Sequence, residues 1–351
     1  MAIVSRDKGG DGIGYVGRLL GRALYDLCET PPETLCLDPA QAGSVSAVER
    51  ARFGLKLLLA ETLGNADWWI FNHVGIARIQ QLVPGPLRRP YAVLLNGIEV
   101  WDPHLSMGRL ATLADAAVRI SISHHTAARV TATHPEIGAI QAVPLGLLDE
   151  PPVAGTPDQQ LLARIGQQSV LIVGRMSTSE RYKGHDELLE CWSSVTMRIP
   201  NAQLVIVGGG DDSSRLATKA GELGLGSDQV VFSGFVTDPT LSELWRRVGV
   251  FAMPSIGEGF GLVYLQAMRA SLPCIGSTAD AAGDIIANNE TGFLVDRREP
   301  GGIAAVIVRL LANGDMRRRM GAAGRMRFEA QFTYDKYLAR LGPVLKSAFR
   351  R

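Results

Sequence analysis

From Ser169 to Asn313 the chain repeats one pattern: a short β-branched and apolar run, a polar or glycine-rich turn, then a longer segment with apolar residues at helical spacing. The runs "SVLIVGRM" (169–176), "AQLVIVGGG" (202–210), "QVVFSGF" (229–235), "VFAMPS" (250–255), "PCIGS" and "TGFLV" read as strands buried on both faces. Helices are predicted between them, over Asp186 to about Val195, "DSSRLATKAGELG", "LSELWRRV", 262–270 and "PGGIAAVIVRLLAN". Strands alternating with helices in this way predict a parallel, doubly wound sheet.

The amino-terminal part follows the same grammar less legibly. "MAIVSRD", "ADWWIFNH" (66–73), "PYAVLLNG" (90–97), "AAVRISIS" (116–123) and "IGAIQAVPLG" (137–146) are candidate strands, and "KGGDGIGYVGRLLGRALYDL" a loop running into a helix. The proline-rich stretch "LLDEPPVAGT" breaks the pattern and marks a boundary. The fold class is therefore α/β, with two Rossmann-like parallel-sheet domains, residues 1–150 and 151–330, facing each other across a hinged cleft. A last amphipathic helix within 331–351 is free to pack across either domain.

Composition narrows the function. Apolar residues make up 46% and charged residues 20%, the net charge is +1, and acids and bases are spread over both halves, so no field invites a nucleic acid. No apolar run is long enough to span a membrane. Cys28, Cys36, Cys191 and Cys274 show neither CxxC nor zinc-ligand spacing and read as reduced core residues. The amino terminus has no basic leader with an apolar run, which predicts a cytoplasmic protein.

Candidate chemistry gathers at predicted strand ends. Glycines at 9, 10, 12, 14 and 17 enter a helix, where backbone N–H groups can meet an anion, or where a tight turn simply packs. The GxGxxG from Gly12 lacks the companion residues of a dinucleotide site. Arg175 at a strand end and Lys183 before the next helix are two cations able to neutralise a diphosphate, one planar and one mobile. Glu180 and Arg181 read as solvated loop, and His185 as a helix-start residue. "GGGDD" (208–212) allows close backbone approach at Gly209, as ligand site or turn, and backbone beside Phe235 can line a base pocket. In "SIGEGFGLVYLQAM", the amides of Gly259, Phe260 and Gly261 open a helix suited to an anion, while Glu258 can accept from vicinal hydroxyls. Gln266 lies two turns further on.

Taken in order, "GRM…YKGHDELL", "LVIVGGGDD", "VVFSGFV", "MPSIGEGFGLVYLQAM", "LPCIGSTADAAGDII" and "TGFLV" resemble the retaining GT-B glycosyltransferases of family 4, over nearly the whole chain. The resemblance implies that Arg175 and Lys183 hold the donor diphosphate, that Glu258 binds hydroxyls of the transferred sugar, and that Gly259 to Gly261 assist. Gln266 stands where the family's E-x7-E pattern has its second glutamate, the ribose ligand, and a neutral amide loses the charge-assisted pair. Asn96 stands where members often have a histidine near the donor sugar. Asparagine donates a hydrogen bond but carries no proton near pH 7. Asp280, where glycine is frequent, either selects hydroxyl configuration or caps the following helix. Glu99 and Trp101 are candidates for an acceptor sugar, and His73, His124 and His125 for the acceptor side, none assigned as a base.

The implied reaction moves a hexose from a nucleoside diphosphate donor, mannose slightly ahead of glucose, to a glycan or polyprenyl-linked acceptor in surface polysaccharide or lipopolysaccharide assembly. No side chain offers itself as a covalent nucleophile, so front-face substitution fits, with cations in place of a metal and no separate cofactor. A noncatalytic sugar-nucleotide binder, a GT-B sugar-nucleotide epimerase and a nicotinamide oxidoreductase are the alternatives. Arg88 and Arg89, with Trp68 and Trp69, suggest peripheral contact with the inner face of the cell membrane, although tryptophans in a strand are more often core.

Overall fold

The computed structural model describes residues 2–5, 12–28, 32–36, 47–63, 66–149 and 154–349. The chain divides into two compact units, one of residues 1–148 with 334–351, the other of residues 149–333.

The first unit is built on a six-stranded sheet of β1 (Ala2–Ser5), β2 (Glu33–Cys36), β3 (Trp69–Phe71), β4 (Tyr91–Leu95), β5 (Val118–Ser121) and β6 (Ile140–Ala142), in the order β2-β1-β3-β4-β5-β6. Every pairing is parallel. All five residues of "YAVLL" in β4 are buried, as a strand covered by helices on both faces requires. The helix Tyr334–Phe349 belongs to this unit: Tyr337, Leu341 and Leu345 are buried, and Arg340 donates to the Pro144 carbonyl at 2.7 Å.

The second unit carries β7 (Ser169–Val173), β8 (Gln203–Val207), β9 (Val230–Gly234), β10 (Val250–Ala252), β11 (Cys274–Ser277) and β12 (Gly292–Val295), ordered β12-β11-β10-β7-β8-β9 and again all parallel. The chain runs outward from β7 to β9, then returns to β10 on the other side of β7, with Val250 opposite Val170. The loops leaving β7 and β10 therefore start side by side, at the strand-order reversal where open α/β sheets hold ligands.

All four cysteines are free thiols; Cys191 and Cys274 are buried as expected, whereas Cys28 and Cys36 are half-buried. No helix among the described residues is long and apolar enough to cross a membrane.

Candidate functional site

The loop after β7 is fastened on three sides. The Thr178 amide donates to Asp211 at 3.0 Å, Arg181 makes a forked pair with Asp212, and the Tyr182 carbonyl accepts from the Ile256 amide at 3.1 Å and from Arg297 at 3.0 Å. Asp212 is further held by Arg215, itself forked onto Asp186, and both carboxyls lie well below the usual range because of these guanidinium hydrogen bonds. Arg181 is exposed, as the solvated reading expects, and it also anchors the loop through Asp212.

Glycines 208 and 210 let the loop after β8 press against this one. Their φ angles are 136° and 153°, and a Cβ on either would lie 2.0 Å from the carbonyl oxygen of Gly174 or Met176. Packing therefore accounts for these two, while a Cβ at Gly209 would meet nothing within 4 Å. Lys183 reaches forward across Gly174: a Cβ there would sit 3.1 Å from its Cδ.

The result is a chain of alternating charges. Arg175 Nη2 lies 3.4 Å from Glu180 Oε1, Glu180 Oε2 lies 3.4 Å from Lys183 Nζ, and Lys183 Nζ lies 3.8 Å from Glu258 Oε1. The Glu180 side chain is only 18% exposed, so it departs from the solvated reading. Sequence reasoning missed it, although an acid three residues before Lys183 was visible as a spacing that brings the two together in a helical turn.

Glu258 is supplied by the loop after β10. Its amide donates to Asp280 Oδ2 at 3.1 Å and its carbonyl accepts from the Ala281 amide. Burial raises its carboxyl above the usual range, opposed by Lys183 and reinforced by Glu180. Asp280 is buried and accepts from the Glu258 amide and from the amide of Ala282 at the start of the helix Ala282–Ile285, a bracing of two loops distinct from either role read from the sequence, and burial lifts it to about 7. Gly261, with φ 94°, precedes the helix Leu262–Arg269, and a Cβ on it would strike the Tyr264 ring at 2.5 Å. Phe260 turns its ring into the core against Phe332, leaving only its backbone for a ligand, and Gly259 is half-buried. Gln266 is half-buried on that helix, with no side-chain partner among the described residues. Phe235, just past β9, is 90% exposed. His185 is buried and held near 4 by burial and Lys183, hence neutral at pH 7, at the start of the helix His185–Thr196.

Arg175, Lys183, Glu258 and Asp280 are thus brought together, with Glu180 added. Gly12 and Asn96 belong to the first unit, and Gly10 lies outside the described residues. Asn96 follows β4: its amide donates to Glu99 Oε1 at 2.6 Å, its side-chain NH2 donates to the Asn72 carbonyl at 2.8 Å, and its Oδ1 is buried without a partner among the described residues. Trp101 is not available to a sugar. It is 5% exposed, donates to Thr126 Oγ1, and is covered by His125 and Arg129. His73 caps a short helix by accepting from the Gly75 amide, and His124 is exposed.

Two doubly wound parallel units, the second with a basic and an acidic loop meeting at its strand-order reversal, are the architecture of GT-B glycosyltransferases. The family model described as glycosyl transferases group 1 matches residues 158–327, which lie within the second unit. A GDP-mannose-dependent alpha-(1-6)-phosphatidylinositol monomannoside mannosyltransferase of Mycobacterium tuberculosis is 30% identical over 235 residues, covering 64% of this chain and 60% of the relative. A phosphatidyl-myo-inositol mannosyltransferase of Mycobacterium leprae is 35% identical over 190 residues, 54% of this chain and 46% of that protein. The chain thus matches about half to three fifths of the length of these relatives. Among solved structures, HepE of Anabaena in complex with UDP and glucose aligns over 99% of this chain and 100% of its own, with a TM-score of 0.77 at 17% identity.

Proposed function

We propose that the protein is a metal-independent, retaining glycosyltransferase that moves a hexose from a nucleoside diphosphate donor to an acceptor hydroxyl. The observation that carries this reading is Lys183 lying between Glu258 and Glu180, with Arg175 beyond: cations for a diphosphate, and beside them a half-buried acid for sugar hydroxyls. In this reading Arg175 and Lys183 stabilise the charge that develops on the departing diphosphate, and that diphosphate helps deprotonate the acceptor on the same face of the sugar. Mannose from GDP-mannose is the first donor to test, because both curated relatives are named as mannosyltransferases, and glucose from UDP-glucose the next. Their names also support a lipid-linked or glycan acceptor, as surface polysaccharide assembly would supply.

Calorimetry against UDP-, GDP- and ADP-sugars tests the reading directly. One sugar nucleotide is expected to bind selectively and to be consumed when an acceptor is present. Binding without transfer to any acceptor would leave a sugar-nucleotide-binding protein, and binding of none would sink the reading. In the same titrations Gln266→Glu is expected to tighten the donor by about tenfold, the difference between a neutral and a charge-assisted hydrogen bond to ribose. An unchanged affinity would remove Gln266 from the ribose site.

Membrane contact, if it serves a lipid-linked acceptor, is better supported by the helix Ala47–Leu63 than by the residues first suggested by the sequence. Trp69 is fully buried, Trp68 half-buried and Arg88 paired with Asp115 at 2.8 Å, which leaves Arg89 as the exposed one of those four. On the helix, Val48, Leu55, Leu59 and Leu63 form an outer stripe, each between 51% and 73% exposed, with exposed Arg52 and Lys56 among them. Apolar residues interleaved with cations fit an anionic lipid surface. Leu55→Glu with Leu59→Glu is expected to lower co-sedimentation with phosphatidylglycerol vesicles at least tenfold. Equal sedimentation of variant and parent would dismiss this face.

A further inference from the structure

The two cations of the proposed diphosphate site are already occupied. Glu180 spans them, one carboxylate oxygen toward Arg175 and the other toward Lys183, both at 3.4 Å. These are long contacts beside the pairs that anchor the same loop, Arg181 to Asp212 at 2.6 Å and Arg215 to Asp186 at 2.8 Å. Charge-assisted hydrogen bonds close to about 2.7–2.9 Å, so Glu180 is held by charge without being well hydrogen-bonded. Its Oε2 is indeed buried with no hydrogen-bond partner among the described residues. The backbone at Glu180 also leaves helical geometry, at φ −119° and ψ 23°, inside the segment Thr178–Lys183, so this carboxylate is placed by a local kink while its neighbours are fastened.

Formal charges in the group make the consequence plain. Arg175 and Lys183 are matched by Glu180 and Glu258, and the neighbouring Asp280 adds only negative charge, so the cluster carries no net positive charge before any donor arrives. Adding a diphosphate while all four stay in place would leave excess negative charge in a partly desolvated site.

We propose that Glu180 is a resident counter-anion of the phosphate site: it holds Arg175 and Lys183 together in the free protein and is displaced from them when the diphosphate binds. The proposal rests on the reading that these two cations hold the donor diphosphate. Glu180 stands in for phosphate, keeps two like charges from repelling each other, and competes with nucleotide. Competition weakens retention of the diphosphate product, which favours its release after transfer.

The test is calorimetry of the full chain with UDP and with GDP, after the melting temperature of each variant has been recorded. Glu180→Gln, which keeps the shape and removes the charge, is expected to bind the preferred nucleotide about tenfold tighter, whereas a merely structural carboxylate would give weaker binding on removal. Lys183→Ala serves as the control. If it binds both nucleotides as well as the parent, the diphosphate reading itself falls and takes this proposal with it. If Lys183→Ala weakens binding and Glu180→Gln does not tighten it, the diphosphate reading stands and the counter-anion role is overturned. Should Glu180→Gln fail to fold, a crystal structure of the parent with the bound nucleotide decides the matter: Glu180 is expected to have moved off both cations, and a carboxylate still 3.4 Å from each with phosphate bound would overturn the proposal.

Discussion

Lys183→Ala is expected to reduce transfer to about a thousandth of the parent rate, the scale on which loss of one preorganised group facing developing charge is felt. The side chain is 17% exposed and bridges two carboxylates, so its removal takes away the positive centre of the site and leaves Glu180 and Glu258 facing each other. The loop should survive, because its anchors are Arg181 on Asp212 and the Tyr182 carbonyl, none of which involves Lys183. Steady-state rates with saturating donor, beside a thermal melt, check both halves. A loss smaller than tenfold with an intact fold would take Lys183 out of the phosphate site.

A second large effect is expected in stability rather than rate. Asp280 is lifted by burial from 3.8 to about 7 in the folded protein. Between those values the folded chain keeps a proton that the unfolded chain has released, so unfolding free energy falls as pH rises from about 4 to about 7. For this group alone the fall is roughly 4 kcal/mol. Glu258, raised by burial, acts in the same direction. Asp186 and Asp212 act oppositely: their carboxyls are depressed by guanidinium hydrogen bonds, so the stability they contribute is present above the ordinary value and is lost only as pH falls below it. Urea denaturation of the parent and of Asp280→Asn at pH 5 and pH 8 separates these windows. The variant is expected to show a much smaller difference between the two, and equal differences would mean that Asp280 does not carry the proton.

The second unit was legible almost strand for strand, because its strands are covered on both faces and read as uninterrupted apolar runs, such as "SVLIV" in β7 and "QLVIV" in β8. Arg175, Lys183 and Glu258 were legible for a related reason: residues at the ends of neighbouring parallel strands converge whatever their separation in sequence. The first unit gave less away. β2 is four residues long with only Leu35 buried, and the helix Ala47–Leu63 has apolar residues on both its inner and outer faces, so no single stripe announces it. The helix Gly314–Gln331 hid among arginines and glycines. Trp101 was misjudged because a tryptophan after a strand looks the same in sequence whether solvent or Arg129 covers its ring. The direction taken by Asp280 depends on the amides of Glu258 and Ala282, a meeting of two loops that no local pattern encodes.

The return of the last helix to the first unit has a consequence for synthesis. Residues 149–333 are contiguous, so the second unit has its whole sequence once Thr333 has been joined. The first unit begins earlier but lacks Tyr334–Phe349, and with it the Arg340 cover for the Pro144 carbonyl and the Tyr334 hydroxyl that donates to Asp26, until those residues have left the ribosome. Domains ordinarily mature in the order in which they are made. Here, of the two units, the one begun first is the one completed later.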